Sequence, residues 1–140
     1  MQDRVQFSYL LNTAEDSDML TYAELSGYTP WGKPRFMTHH NGTETEYVYD
    51  AKSMRLSQIE TTGPGGVVQR KAYQYHPAGD VMTITDKDNV TYTYQYDGLH
   101  RLVSETNDGG YDPVSYTYYT YNAIGNIMTK TISGDTFTFT

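Results

Sequence analysis

Hydrophobic and polar residues alternate with a period of two along short segments of this chain, which is the pattern of strands with one covered face. The alternation runs from Val5 to Leu10 and again from Met19 to Leu25, and a polar, acidic stretch from Asn12 to Asp18 separates the two. This pattern predicts a leading hairpin over residues 1–26 with a longer loop at its tip.

A Tyr-x-Tyr pair followed by a polar residue then recurs along the chain. Full copies lie at residues 47–50, 73–76, 94–97 and 119–122, and a degenerate copy begins at Tyr28. The last tyrosines of these copies are 21, 26, 21 and 25 residues apart, and the segment 137–139 looks like the opening of a sixth copy. Self-similarity at such a period indicates a repeat architecture.

Turn residues follow every copy. Asp or Asn after the last tyrosine can bond its own backbone in a turn, and glycine accepts a positive φ there. A polar strand and a second turn come next, about ten residues further on. These second turns are predicted at Asn41-Gly42 and at residues 63–66, 87–89, 108–110 and 133–135.

Two turns per repeat predict an all-β fold, an antiparallel meander of consecutive β-hairpin repeats that forms a curved or spiral sheet of roughly 10–12 strands. We expect one repeat domain over residues 1–140, in which residues 27–140 hold about five repeats and the last continues into a truncated sixth.

Alternation also predicts where the tyrosines point. The two tyrosines of each pair share a face, and we expect those of neighbouring repeats to stack on each other across the sheet. Tyr116 and Tyr118 have the opposite parity to Tyr119 and Tyr121. We therefore expect a β-bulge near Tyr118-Tyr119 that resets the register.

The copies at residues 94–102 and 119–127 resemble the YD/RHS repeat family, whose consensus runs roughly Tyr-x-Tyr-Asp-x-x-Gly-Arg-Leu. The resemblance covers about residues 28–140, with departures at His76 and Asn122 for Asp and at His100 for Gly. The residues expected to carry the repeat structurally are Tyr28, Gly32, Tyr47, Tyr49, Asp50, Tyr73, Tyr75, Gly79, Tyr94, Tyr96, Asp97, Tyr119, Tyr121 and Gly125.

The resemblance implies a function. The family includes bacterial RHS polymorphic toxins, the B and C subunits of insecticidal toxin complexes, and animal teneurins. Its repeats coil into a hollow shell, which in the bacterial members encloses a C-terminal toxic domain. The self-cleaving aspartates of the family lie in a C-terminal core that has no match here, so no catalytic residue is carried over.

Composition narrows the classes of partner. The formal net charge is −7, and no basic patch is long enough to follow a phosphate backbone, so nucleic acid is not an expected partner. The chain has no Cys, its apolar runs are too short to insert in a membrane, and no apolar segment follows residues 1–4 as in a signal peptide. The resemblance implies a secreted or cell-surface location, as part of a larger bacterial toxin.

Candidate chemistry is weak. The adjacent His39 and His40 would point to opposite faces of a strand and cannot chelate one ion together. Glu44 and Glu46 share a face, but a solvated acidic surface explains them better than a glycosidase pair. The segment 86–91 begins like a calcium loop and then lacks the ligand and the glycine that such a loop needs. No catalytic, metal-binding or cofactor-binding residue is predicted.

The leading hypothesis is therefore a structural segment of a shell around a C-terminal toxin or effector domain, with no chemistry of its own. The alternative is a carbohydrate-binding or cell-surface-binding repeat module, since tyrosine rings stack on sugars. An enzyme is the weakest hypothesis. The expected partners are adjacent repeats of a longer parent chain, the enclosed cargo, and other copies that pair edge to edge, with residues 136–140 as the stickiest edge.

Overall fold

Twelve β-strands make up the regular structure in the part of the chain that the structure describes. The computed structural model describes residues 4–10, 19–109 and 115–139, with side chains described from residue 22 onward. The strands are β1 (Arg4–Leu10), β2 (Met19–Ser26), β3 (Phe36–His39), β4 (Glu44–Tyr49), β5 (Leu56–Gly63), β6 (Gly66–Tyr75), β7 (Val81–Asp86), β8 (Thr91–Tyr96), β9 (Leu102–Asn107), β10 (Tyr116–Tyr121), β11 (Ile127–Ile132) and β12 (Asp135–Thr138).

The strands follow each other in the sheet in the order of the sequence, from β1 to β12. The neighbours whose residue pairs are defined are all antiparallel. This topology confirms the predicted all-β meander of hairpins. Within the described ranges, no helix is long and apolar enough to cross a bilayer.

The chain divides into two compact units inside strand β6. Unit 1 spans Met1–Arg70 and unit 2 spans Lys71–Thr140. The two units are described separately below. The organisation as one repeat domain stays a prediction.

Short connections join the strands at most of the expected places. Gly42 and Asn89 have positive φ in the turns after β3 and β7, and Pro64-Gly65 joins β5 to β6. Ser133 and Gly134, with φ of 47° and 105°, form the two-residue connection between β11 and β12. Two central residues of positive φ match the twist of a tight hairpin. The predicted turn at 108–110 and the loop from Asn12 to Asp18 lie partly or wholly outside the described residues.

The register of unit 2 sorts its side chains by type. Tyr73 lies opposite Ile84, and Ile84 lies opposite Tyr92 on the next strand. We call this side the tyrosine face; it includes Tyr73, Tyr75, Ile84, Tyr92, Tyr94, Tyr96, Glu105, Tyr119, Tyr121 and Ile132, and also the polar residues Asn107, Thr117 and Lys130. The opposite side is the threonine face; it includes Gln74, Thr83, Thr85, Thr91, Thr93, Ser104, Thr106, Thr120, Thr129, Thr131 and Thr136.

The expectation that tyrosines of neighbouring repeats pair directly across the sheet is wrong. Each repeat contributes two strands, so a strand that carries Ile84 lies between the tyrosine strands β6 and β8. A stacked pair forms within one strand instead, where the rings of Tyr73 and Tyr75 lie 6.5 Å apart and 21° from parallel.

A register shift recurs beside the last tyrosine of four repeats. At each shift the strand that follows the turn has one residue with no counterpart opposite, which is the arrangement of a β-bulge. The extra residues are Ser57, Met82, Val103 and Met128.

The bulge expected near Tyr118-Tyr119 is absent, because the register shift of β10 against β11 falls between Thr120 and Tyr121. β11 pairs with β10 without a shift from Thr117 to Thr120, and β9 pairs with β10 without a shift as far as Tyr118. Tyr116 and Tyr118 therefore project from the threonine face and are 46% and 51% exposed. Because these two tyrosines alternate out of step with Tyr119 and Tyr121, their rings lie on the other side of the sheet, and no β-bulge is needed to place them there.

Candidate functional site

The turns that follow the last tyrosine of each repeat share one backbone design. In four of them, the residue after the tyrosine donates its N–H to the carbonyl four residues on, at 2.8 to 3.0 Å. The pairs are Thr29 to Lys33, His76 to Asp80, Asp97 to Arg101 and Asn122 to Asn126. The turn at Asp50 has one more residue, and Asp50 donates to Arg55 at 2.8 Å.

One residue in each turn has a positive φ. It is a glycine in three repeats, at Gly32, Gly79 and Gly125, and a larger residue in two, at Met54 and His100. Glycine adopts this conformation freely, whereas a side chain strains it. His100 therefore occupies a position at which the backbone favours glycine.

Carboxylates brace two of these turns. Asp97 Oδ1 accepts the backbone N–H of Leu99 at 2.9 Å and of Arg101 at 3.0 Å. The Arg101 side chain donates to Asp97 Oδ2, and these bonds hold the pKa of Asp97 below its usual value. Asp50 accepts the N–H and the hydroxyl of Ser53, each at 2.7 Å, which lowers its pKa in the same way.

The repeat tyrosines act as packed rings with polar tips. Tyr49 donates its hydroxyl to the carbonyl of Pro34 at 3.1 Å, and Tyr121 donates to the carbonyl of Leu102 at 2.6 Å. Burial raises the pKa of Tyr94 to about 12, and the charge of Glu105 adds to that effect. A phenol with so high a pKa stays protonated near neutral pH.

The structure brings together only neighbouring members of the predicted set. In unit 1, Tyr47 lies beside Tyr49 and raises its pKa, after the larger effect of burial. Tyr28 lies in the loop after β2 rather than on a strand, and lines a small cavity of 180 Å³ with Trp31 and Tyr49. In unit 2, Tyr73 lies near enough to Tyr94 to affect its ionisation.

Threonine hydroxyls pair across the opposite side of the sheet. In unit 1, Thr45 is 5% exposed, and its hydroxyl lies 2.8 Å from that of Thr61 directly opposite. In unit 2, facing threonines make the same contact at 2.6 to 3.2 Å; the pairs are Thr85 with Thr91, Thr120 with Thr129, and Thr131 with Thr136.

An ion pair joins two successive turns of unit 2. His100 Nδ1 lies 2.7 Å from Asp80 Oδ2, although the residues are 20 positions apart. The hydrogen bond to Asp80, and then its charge, raise the pKa of His100. Sequence reasoning treated His100 only as a departure from the glycine of the consensus. The pairing depends on the register of two hairpins, which no local pattern reveals.

A cavity of 760 Å³ opens beside this ion pair, between the turns at residues 76–80 and 97–101. We call it the inter-turn cavity. Its lining residues are His76, Pro77, Ala78, Asp80, Gln95, Tyr96, Asp97, Gly98 and His100. The ring of His76 meets the ring of Tyr96 edge-on, with centroids 6.3 Å apart.

The side chains that line the inter-turn cavity are of the types that bind a ligand without covalent chemistry. It offers two carboxylates, two imidazoles, an aromatic face and an amide. Within residues 22–109 and 115–139, no three His, Asp or Glu side chains come together in a group that could hold a metal ion. The arrangement can pair with charge, hydrogen-bond and stack on a ring.

Comparison with known proteins agrees with the repeat pattern. The family model described as RHS Repeat matches residues 75–112. Toxin subunit YenC2 of Yersinia entomophaga is 36% identical over 81 residues, which cover 46% of this chain and 8% of that protein. Toxin subunit YenC1 of the same organism is 35% identical over 94 residues, which cover 55% of this chain and 10% of that protein. The chain therefore spans a tenth or less of the length of these relatives.

Solved structures share the fold. The crystal structure of TcdB2-TccC3 has a TM-score of 0.69 at 26% identity, over 86% of this chain and 7% of the other. The Tc holotoxin pore of Photorhabdus luminescens has a TM-score of 0.71 over 90% of this chain and 8% of the other, and at 24% identity it supports the fold alone. The spaced tyrosines, the recurrent turns and these matches together support the resemblance to the YD/RHS repeat family of toxin-complex subunits, and residues 75–112 match an RHS repeat.

Proposed function

We propose that this chain is one stretch of the wall of a YD/RHS shell that encloses a C-terminal toxin or effector domain. In this proposal the segment confines its cargo physically and makes or breaks no covalent bond. Its partners are the adjacent repeats of a longer parent chain and the enclosed domain. The parent chain is secreted or displayed on the surface of a bacterium.

One observation carries the proposal: the repeats form a sheet without a core of their own. Among the described side chains, Ala23 is the only hydrophobic one that is buried, at 5% exposure. The tyrosine face of unit 2 is half-buried, and hydroxyl pairs cover the threonine face. Repeat proteins gain stability from each neighbour that covers the last exposed surface. Such a sheet is suited to be part of a larger wall. The proposal also requires that this wall is curved.

The natural reading frame on both sides of the segment gives the first test. Many further Tyr-x-Tyr-Asp copies, followed by an unrelated C-terminal domain, would support the shell. A stop codon close after Thr140 would contradict it and favour a free-standing binding module.

Limited proteolysis of the parent chain gives the second test. We expect the domain beyond the repeats to resist protease in the wild type, and to lose that protection when Tyr94→Ser removes a ring from the tyrosine face. Tyr118→Ser is the matched control, because this ring is exposed on the threonine face and its loss leaves the wall packed. A domain that is cleaved equally fast in the wild type would contradict enclosure.

A carbohydrate-binding function is the second candidate, and the exposed rings of Tyr116 and Tyr118 favour it. Tyr118 lies opposite Thr131, and Tyr116 lies opposite Thr106, so hydroxyl groups flank both rings. Ring faces beside hydroxyls can stack on sugars and bond to them. A glycan screen that stayed blank at millimolar sugar would eliminate this candidate.

A further inference from the structure

Three turns of unit 2 are equivalent by their backbone hydrogen bonds, and the residue that closes the turn is different in each of them. Residue 80 closes the first turn, residue 101 the second and residue 126 the third, each through its carbonyl. The family consensus has arginine there. This chain has Asp80, then Arg101, then Asn126.

Arg101 shows what an arginine does at this position. Its guanidinium carbon lies 4.7 Å from the centre of the Tyr121 ring, a cation–π distance. It also donates to the carbonyl of Asn122 at 3.4 Å and pairs with Asp97 at 2.6 Å. The side chain thus fills the space between its own turn and the next one.

The preceding pair of turns lacks this filling. Asp80 stands where the arginine would begin, Tyr96 is the equivalent of Tyr121, and the inter-turn cavity lies between them. The hydroxyl groups of the two tyrosines also differ in their hydrogen bonds. Tyr121 donates its hydroxyl to the carbonyl of Leu102, whereas the Tyr96 hydroxyl bonds to no residue that the structure describes.

The lining of the cavity suits a guanidinium group. Asp80 is held in place through Oδ2 by His100, its side chain is 23% exposed, and its Oδ1 has no hydrogen-bond partner within the described residues. The ring of Tyr96 lines the same cavity. A carboxylate beside an aromatic ring binds arginine better than lysine, because the planar guanidinium can stack and donate two bonds at once.

We propose that the inter-turn cavity binds the arginine side chain of another polypeptide segment, in the place that Arg101 takes over Tyr121 in the next repeat. Asp80 supplies the counter-charge and Tyr96 the ring. Arg101 fills the equivalent contact in the next repeat, whereas this repeat has the carboxylate of Asp80 at that position and its cavity is open. This proposal is independent of the shell and concerns a site that a free-standing chain would also have.

The test is a chemical-shift titration of the 140-residue chain with N-acetyl-arginine amide at about pH 8, above the ordinary pKa of about 6.5 for a histidine side chain. We expect shifts centred on residues 76–80 and 96–101, with a dissociation constant on the order of millimolar for one side chain. N-acetyl-citrulline amide has nearly the same shape and no charge. We expect it to bind at least about tenfold more weakly.

Two substitutions of one residue separate binding from folding. Asp80→Asn removes the charge and should weaken binding about tenfold. Asp80→Arg restores the arginine of the family, which should occupy the cavity and abolish binding while the circular dichroism spectrum stays that of the wild type. Asp88→Asn, at an exposed carboxylate outside the cavity, is the matched control.

Several outcomes would overturn the proposal. Equal affinity for the citrulline amide would show that the cavity does not recognise the positive charge of the guanidinium group. Equal loss of affinity in Asp80→Asn and Asp88→Asn would show that binding reports only the net charge of the chain. Arginine amide that still shifts residues 96–101 in folded Asp80→Arg would show that the cavity is not the site.

Discussion

Single residues at the turns set how strongly successive hairpins are tied together. His100 accepts a strained φ of 60° in a place where three other repeats use glycine. What it gains there is the ion pair with Asp80, a contact between turns that glycine cannot make. A local cost in backbone conformation is thus exchanged for a connection between repeats.

This connection makes stability depend on pH. Because Asp80 raises the pKa of His100 above its ordinary value of 6.5, the folded state binds the proton more tightly than the unfolded state does. The contribution is present in full below about pH 6.5 and is lost as the pH rises through the raised value. We expect His100→Gln to reduce the melting temperature more at about pH 5 than at about pH 8.

Thermal unfolding of four chains measures this effect. Asp80→Asn should lose stability with the same pH profile as His100→Gln, and the double variant should lose no more than either single one. A difference between wild type and His100→Gln that is constant from about pH 5 to pH 8 would show that the imidazole acts without its charge.

At the scale of strands, the positions of turns can be predicted from the residues in them, whereas the positions of register shifts cannot. An Asp, Asn or Thr after the last tyrosine and a glycine three residues on can be read from the chain, and the turns at 29–33 and 122–126 form there. The extra residues Met82 and Met128 carry no such signal, because a bulge depends on which residue lies opposite. For the same reason the sequence could not show that Ile84 separates the tyrosine strands, or that Asp80 meets His100.

Hydrogen bonds between facing threonine hydroxyls connect neighbouring strands. Thr45 and Thr61 bond to each other in a nearly buried place, so Thr45→Val leaves the Thr61 hydroxyl without its partner. We expect this variant to lose about 1 kcal/mol in the free energy of unfolding, because an unsatisfied group costs more than the bond contributes.

The double variant Thr45→Val/Thr61→Val is the control for that loss. It removes both hydroxyls and keeps the shape, so it should be more stable than Thr45→Val alone. Urea denaturation of the wild type, Thr45→Val, Thr61→Val and the double variant gives the coupling energy between the two positions. Losses that simply add would mean that the two hydroxyls do not depend on each other.

At the scale of the whole chain, the meander leaves an outer strand with apolar side chains. β12 is the last strand of the order; Phe137 within it and Phe139 just after it are 53% and 47% exposed. An outer strand has unpaired backbone groups that can accept another strand. The identity of that neighbour is not encoded in these residues, because further repeats and a second copy would meet the same backbone groups.

We expect the isolated chain to associate through this edge as its concentration rises. Phe137→Lys places a charge on the edge and should shift the chain toward the monomer in light scattering. Asp88→Lys adds the same type of side chain in the turn after β7 and should leave association unchanged. A wild-type chain that stays monomeric over a wide concentration range would contradict edge pairing.

The bulge beside the last tyrosine of four repeats affects how such a gene can gain or lose repeats. Tyr75 and Tyr96 hold the same place in their repeats, each facing one unmatched residue, Met82 or Val103. A recombination event that joined these two points would remove two strands and leave every remaining side chain on its own side of the sheet. Genes of this design can therefore change length in steps of one copy, whereas a single residue inserted within a strand turns its side chains to the opposite face of the sheet.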